Sequence, residues 1–326
     1  MRFIKKHWRL IAGACVGAVI WLAIIGFVFF LNPQRTFTIT ETYRITSATG
    51  AETHLSVALP MSGGYQEVRD LRIEGAEDYS FTYFDGWREL TARIPATGDE
   101  VLVTISYTAI LFRNASPWAG GVLAEHTLPQ QFVDSDHETI LALAAQLRGD
   151  TDYQTARNIH NHVYALISWP SGPQINTAHL YASELLDSPV GVCRDFSILM
   201  TALLRAEDIP ARAISGLAFH VPLRSANDWG HQGGAHAWVE FYADGRWHFA
   251  DPSWGRFDRT ATSHLSFGTF DMNIGSEFQQ NRGNAIEDAG FYIRGWMTAP
   301  LTFLFYSTDE TATVIPRGEV RFSWFR

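Results

Sequence analysis

Only two cysteines occur in 326 residues, Cys15 and Cys193, and that scarcity excludes a disulfide-stapled scaffold. One sits in an apolar run and the other in the globular part, so they are not expected to pair. Basic residues are also short, with 25 Lys and Arg against 34 Asp and Glu and a net charge of −9. Four of the 25 (Arg2, Lys5, Lys6, Arg9) fall in the first ten residues, which leaves 21 basic against 34 acidic residues beyond them, a balance of −13. Nucleic-acid phosphates demand a basic face, so no nucleic-acid partner is expected. Internal repeats, heptads, a phosphate loop and a dinucleotide fingerprint are lacking as well. That removes solenoids, coiled coils and the common nucleotide-binding folds, and no cofactor is predicted.

What is plentiful is apolar material. The chain is 46% hydrophobic and 18% charged, the composition of a folded protein with enough substance for a core. Residues 10–31 are 22 consecutive positions without a charge, rich in Ile, Val, Phe, Ala and Gly. About 20 residues at ~1.5 Å each cross a bilayer core. The run leaves through Phe29-Phe30-Leu31-Asn32-Pro33-Gln34-Arg35, which offers no small-x-small cleavage site. Residues 1–33 therefore read as a basic cytoplasmic end followed by an uncleaved, single-pass transmembrane anchor. Lys and Arg stay on the inner side, so the rest of the chain is expected outside the cytoplasm, periplasmic or extracellular.

Beyond the anchor, Phe37, Ile39, Tyr43 and Ile45 fall on odd positions, and Val101, Val103, Ile105 and Tyr107 repeat the pattern. Period-two alternation of β-branched and aromatic residues predicts half-buried strands. Shorter runs at 54–59, 68–74, 79–84 and 88–93 lie between turn sequences, which makes 35–115 a small antiparallel β domain. Asn114-Ala-Ser at its end would accept a glycan only in a eukaryotic secretory setting. From about 136 the period becomes helical, with helices predicted over 137–148, 152–167 and 179–186. Another opens at Cys193, with Phe196, Leu199, Met200, Leu203 and Leu204 as its inward stripe. Strands follow at 211–219, 237–243 and 246–250, the last two around the turn pair Asp244-Gly245. Helices then antiparallel strands make an α+β core over 130–260. Residues 261–326 read as a C-terminal extension whose short strands (291–296, 301–306) extend either the core sheet or the first β domain.

Cys193 lies where a glycine-containing turn meets a helix start, and there free N–H groups and the positive dipole end favour a thiolate. The same N–H groups suit the oxyanion formed when sulfur attacks an acyl carbon. A nucleophilic thiol needs a base, and the base needs an acceptor to fix its tautomer. His236 and Asp251 supply both. A two-residue turn at Asp244-Gly245 pairs 243 with 246, which sets Asp251 opposite Trp238 and puts His236 and Asp251 on one sheet face as diagonal neighbours. Taken singly, each residue has a plainer reading: an inert buried thiol, a satisfied polar histidine, a turn-capping aspartate.

Three blocks resemble the transglutaminase-like superfamily. Gly191-Val192-Cys193-Arg194-Asp195-Phe196-Ser197, with Leu203-Leu204-Arg205-Ala206, Ile209-Pro210-Ala211-Arg212 and Gly216, is similar to its cysteine helix. His236-Ala237-Trp238-Val239-Glu240-Phe241 and Trp247 through Asp251-Pro252-Ser253 are similar to its histidine and aspartate strands. The resemblance spans about 136–256. It implies a papain-like core with Cys193, His236 and Asp251 as catalytic triad, and thiol acyl chemistry on amide or ester bonds of a protein or peptide substrate. Transamidation, peptide hydrolysis and deamidation stay open, as does the oligomeric state. The alternatives are a non-catalytic peptide- or protein-binding module using the same cleft and an acetyl-transferring relative.

Asp195 reads as serving the helix start rather than the chemistry, and Arg194 stays outside the triad with it. Arg205 and Arg212 read as structural ion pairs holding helix to sheet, with Glu240 as a partner. His231 and His236 are five apart, but the soluble thiol is committed elsewhere and no carboxylate spacing supports zinc, so no metal is predicted. Trp229 and Trp238 line an acyl cleft or belong to the core. Trp169 and Gln174 are candidates for a second oxyanion donor.

Overall fold

The computed structural model describes residues 16–22, 34–84, 86–113, 120–169, 181–219, 233–260, 262–269, 291–296 and 302–323. Residues 16–22 are helical and exposed, and the rest of the predicted anchor run lies outside the described residues. Among the described residues no helix is long and apolar enough to cross a membrane.

The first half of the chain supplies six strands: β1 (Gln34–Thr46), β2 (Thr53–Pro60), β3 (Gln66–Glu74), β4 (Asp78–Phe84), β5 (Trp87–Arg93) and β6 (Glu100–Phe112). The end of the chain adds β12 (Phe291–Trp296), β13 (Thr302–Ser307) and β14 (Thr313–Ser323). One sheet runs β14-β1-β6-β3 and the other β12-β13-β2-β5-β4, so the last strands of the chain flank its first. Alternation explains how the two sheets share a core. Phe37, Ile39, Tyr43 and Ile45 of β1 point inward with Leu55 and Val57 of β2 and Val103 and Ile105 of β6, all almost fully buried. Where β2 meets β13, the hydroxyls of Ser47, Thr53 and Ser307 bond one another at 2.8–3.2 Å, which satisfies three buried polar groups at the seam.

The same odd-numbered rule carries Glu41 inside, at 2% exposure. Its carboxyl accepts from Tyr43 Oη at 2.9 Å and Tyr107 Oη at 3.1 Å. Burial raises its pKa to about 8, and the two hydroxyl donors only partly oppose that, so the group is a neutral acid at pH 7.

The second unit is built from four helices, α1 (Glu138–Leu147), α2 (Asp152–Leu166), the single turn α3 (Glu184–Asp187) and α4 (Cys193–Ala206). Against them lies a five-stranded sheet of order β10-β9-β8-β7-β11: β7 (Ala211–Phe219), β8 (Gly233–Ala243), β9 (Arg246–Asp251), β10 (Arg256–Phe257) and β11 (His264–Thr269). The sequence suggested one inward stripe for α4. The structure instead buries every residue from Asp195 to Arg205, because α1 and α2 cover one side and β7 and β8 the other. Truncating Leu203 or Leu204 to alanine there costs about 2–5 kcal/mol.

Strand β11 lies within the span read as C-terminal extension, yet it pairs antiparallel with β7 and forms an edge of this sheet. Gly216 makes the pairing possible, since a Cβ there would lie 2.1 Å from the Leu265 carbonyl oxygen and 2.5 Å from the Trp238 ring. Leu217, Phe219, Leu265 and Phe267 continue into the sandwich core, where Phe219 stacks on Phe37 at 4.6 Å. The two units therefore share apolar contacts.

Candidate active site

Cys193 is the first residue of α4, and the turn before it is shaped to start a helix. Gly191 N–H donates to the Ser168 carbonyl at 3.0 Å and fixes the incoming strand. Asp195 then folds back, and its Oδ2 accepts the Val192 N–H at 2.8 Å, which satisfies a donor the helix leaves open. Only glycine fits at 191, because a Cβ would stand 2.6 Å from the Asp195 Cβ. Arg194 Nη2 donates to the other Asp195 oxygen at 3.1 Å. Asp195 thus serves the helix start, and the thiol is left half-buried at the positive end of the dipole.

His236 and Asp251 reach the same place from the sheet. Asp244 and Gly245 both have positive φ, +50° and +78°, as a tight two-residue turn requires, and Ala243 pairs with Arg246. The register runs unbroken to Val239 and Ala250, so the side chains of 236 and 251 emerge on one face. His236 Nε2 donates to Asp251 Oδ2 at 3.0 Å, and the ring also hydrogen-bonds Cys193. With Nε2 on the carboxylate, Nδ1 is the nitrogen left for sulfur. Trp254 lies against the imidazole at 4.6 Å between ring centres.

Burial alone would push the His236 pKa down. The hydrogen bonds to Asp251 and Cys193 outweigh it and raise the group to about 9, so the ring holds a second proton readily. For Asp251 burial again opposes the charge, and the bonds from His236 and His264 win, holding the carboxyl well below the usual carboxylate range. Asp251 has no exposed surface. Its Oδ1 accepts from Ser253 N at 3.1 Å, Ser253 Oγ at 2.8 Å and Trp254 N at 3.1 Å. These donors lock the carboxylate that orients the imidazole.

Sequence reasoning missed His264. It lies on β11 with no exposed surface, and its Nε2 donates to Asp251 Oδ2 at 3.2 Å, beside the bond from His236. Its Nδ1 bonds Ser263 Oγ at 3.1 Å, and that oxygen accepts from Arg256 Nη1, also at 3.1 Å. Burial is the main reason its pKa falls to about 4, which keeps the ring neutral and a fixed donor. No local signal marked it, because its strand was not legible as part of the core sheet. The ligand-capable atoms of His236, Asp251 and His264 lie within 4.8 Å of one another. Both rings spend their Nε2 protons on the carboxylate there, so a metal ion at that point would have to displace both.

Arg212 and Glu240 form a buried ion pair at 2.8 Å, with the guanidinium 4.5 Å over the Trp247 ring. Arg205 departs from the expected ion pair. It donates to the backbone carbonyls of Ala211 at 3.0 Å and Leu128 at 2.7 Å, and burial lowers it to about 10. It still ties α4 to β7, through peptide oxygens. Trp238 is fully buried, and its Nε1 donates to Tyr65 Oη at 3.2 Å, which makes it core. Trp169 is half exposed and packs near Phe196. Cys15, Asn114, Gln174, Trp229 and His231 lie outside the described residues.

Residues 141–252 match the family model of the Transglutaminase-like superfamily. No curated protein matches the chain. Among solved structures, one described as a candidate cysteine protease from Cytophaga hutchinsonii is similar in fold at 16% identity and a TM-score of 0.53, covering 89% of this chain and 98% of that one. The periplasmic domain of TgpA from Pseudomonas aeruginosa aligns at 15% identity over 69% of this chain and 89% of that one, with a TM-score of 0.31. The helix carrying the thiol and the strands carrying the imidazole and carboxylate fall inside the matched span, and residues 141–252 of this chain are a transglutaminase-like domain.

Proposed function

We propose that the chain is a thiol acyl-transfer enzyme acting on amide bonds of a protein or peptide substrate, with Cys193 as nucleophile, His236 as base and Asp251 as the group that orients it. The observation that carries this reading is the hydrogen-bonded line from the Cys193 thiol at a helix tip through His236 to Asp251. In the first half-reaction His236 takes the thiol proton and sulfur attacks the carbonyl carbon, with N–H groups at the start of α4 facing the oxyanion. The C–N bond breaks as the imidazolium returns its proton to the departing amine, leaving a thioester. In the second, water or an amine attacks the thioester as His236 accepts its proton, and the thiol re-forms. Water gives cysteine peptidase or deamidase chemistry, and an amine gives transglutaminase chemistry. The basic first ten residues and the apolar run 10–31 support anchoring in a membrane with this domain on the extracytoplasmic side.

Iodoacetamide is expected to alkylate Cys193 faster than an ordinary thiol, with the advantage lost in His236→Ala. Alkylation at an ordinary rate, unchanged by that substitution, would remove the reading and leave a binding module. Mass spectrometry of a peptide mixture incubated with the chain and a primary amine then separates cleavage, amine incorporation and the deamidation shift of about 1 Da.

A further inference from the structure

A cavity of about 890 Å³ opens where the start of β1 and the end of β6 meet the loop around β10. It is lined by Arg35, Arg113, Arg157, Arg256 and Arg259 together with His160. The chain as a whole carries −9, so this concentration of guanidinium groups runs against its composition. None of the described residues lining the cavity is acidic. Among the described residues, Arg35, Arg157, Arg256 and Arg259 form no ion pair with a carboxylate within 4 Å. Arg157 instead donates to Tyr153 Oη and lies over the Phe257 ring, while Arg256 donates to Ser263 Oγ and lies over Trp254.

Like charges gathered in a partly desolvated hollow repel one another, and the cost falls when an anion enters. Arg35 feels this directly: burial lowers its pKa most, and Arg113 and Arg256 lower it further. Guanidinium forks match the oxygens of phosphate two at a time, and the Thr262 hydroxyl adds a neutral group to the lining. The volume is that of a small-molecule site, roughly 300–1,000 Å³, with room for more than the anion alone. We propose that this cavity binds a phosphate-bearing anion, either a free phosphate compound or a lipid headgroup. The headgroup source rests on the membrane-anchor reading, since Arg35 lies only four residues past the end of the apolar run at Leu31. The cavity also backs onto the candidate active site, where His160 Nε2 stands 3.4 Å from the Asp251 carbonyl oxygen.

Phenylglyoxal modification of arginine, read peptide by peptide by mass spectrometry, tests this on the full-length chain in neutral detergent. Inorganic phosphate is compared with chloride at equal ionic strength. Phosphatidylcholine vesicles carrying the reconstituted chain are compared with and without phosphatidylglycerol. At about ten times the dissociation constant, modification of Arg256 and Arg259 is expected to slow about tenfold, as 1 + [L]/Kd. Arg69 and Arg93, exposed on the sandwich, keep their rates. Protection by inorganic phosphate identifies a free phosphate compound as the source, and protection only with phosphatidylglycerol identifies a headgroup. Equal rates in all arms, whether fast or slow, overturn the proposal. As a second measurement, phosphate or phosphatidylglycerol raises the unfolding temperature, and the double variant Arg157→Gln/Arg259→Gln, at exposed positions, loses that rise. An undiminished rise in the variant would also overturn it.

Discussion

The β-sandwich and the helix-and-sheet core each bury one carboxyl group almost completely, Glu41 at 2% exposure and Asp251 at 0%, and the two end in opposite charge states. Among the described residues Glu41 has two tyrosine hydroxyls and no cation as partners, so burial prevails and its pKa rises to about 8. Asp251 has two imidazoles, two backbone N–H groups and a serine hydroxyl, and its pKa falls below the carboxylate range. Burial is common to both, so the donor set decides the charge. In the sandwich a neutral acid links two strands. In the core a held charge fixes the ring that faces the thiol, which is what proton transfer at that thiol requires.

Removing the charge at Asp251 should have the largest effect. Asp251→Asn keeps the shape but loses the acceptor that fixes the His236 tautomer, and turnover is expected to fall about 10³–10⁴-fold. A fall of less than about tenfold would mean that the contrast between the two carboxyls has no bearing on the chemistry. Turnover of the native chain should also decline as pH rises through about 9, where His236 loses the proton it gives to the leaving amine. A rate still rising above that pH would break the link.

Glu41→Gln should act on stability alone. The folded-state pKa is raised, so the unfolded chain ionises first, and stability is lost as pH rises from about 4.5 to about 8. Glutamine escapes that loss, and the variant should be more stable by on the order of 3 kcal/mol at pH 7, with native Cys193 alkylation. Thermal unfolding at several pH values checks this, and parallel curves for variant and native chain would show that Glu41 is not held neutral. The smallest effect is expected at His264. Alanine there removes one of two donors on Asp251 Oδ2, worth about 1.4 kcal/mol or about tenfold in alkylation rate. His264→Gln, which can present an N–H to the same oxygen, should recover most of it. An alanine variant with native rate and native pH profile would reduce His264 to packing.

Much of the local structure was legible because its causes are local. Odd-numbered apolar residues of β1 define an inward face, and Glu41 sits on that face by the same count, though its partner Tyr107 is 66 residues away. The Asp244-Gly245 turn sets a register, and the register alone brings 236 and 251 onto one face. The Gly191-Val192-Cys193 sequence marks a helix start that Asp195 then closes. His264 was not legible: β11 is short, its pairing with β7 shifts between Ser266 and Thr269, and nothing nearby reveals that it joins the core sheet. Arg205 was misjudged because charge suggested a carboxylate where buried peptide oxygens were the nearer acceptors.

Periodicity, turn chemistry and charge act over a few residues, so the sequence by itself determined the strands, the cysteine helix and the face shared by imidazole and carboxylate. Pairing of β14 with β1, the second histidine on Asp251 and the arginine-lined cavity join segments far apart along the chain. Loop closure weighs against such contacts until many form together, so only the packed tertiary structure selects them.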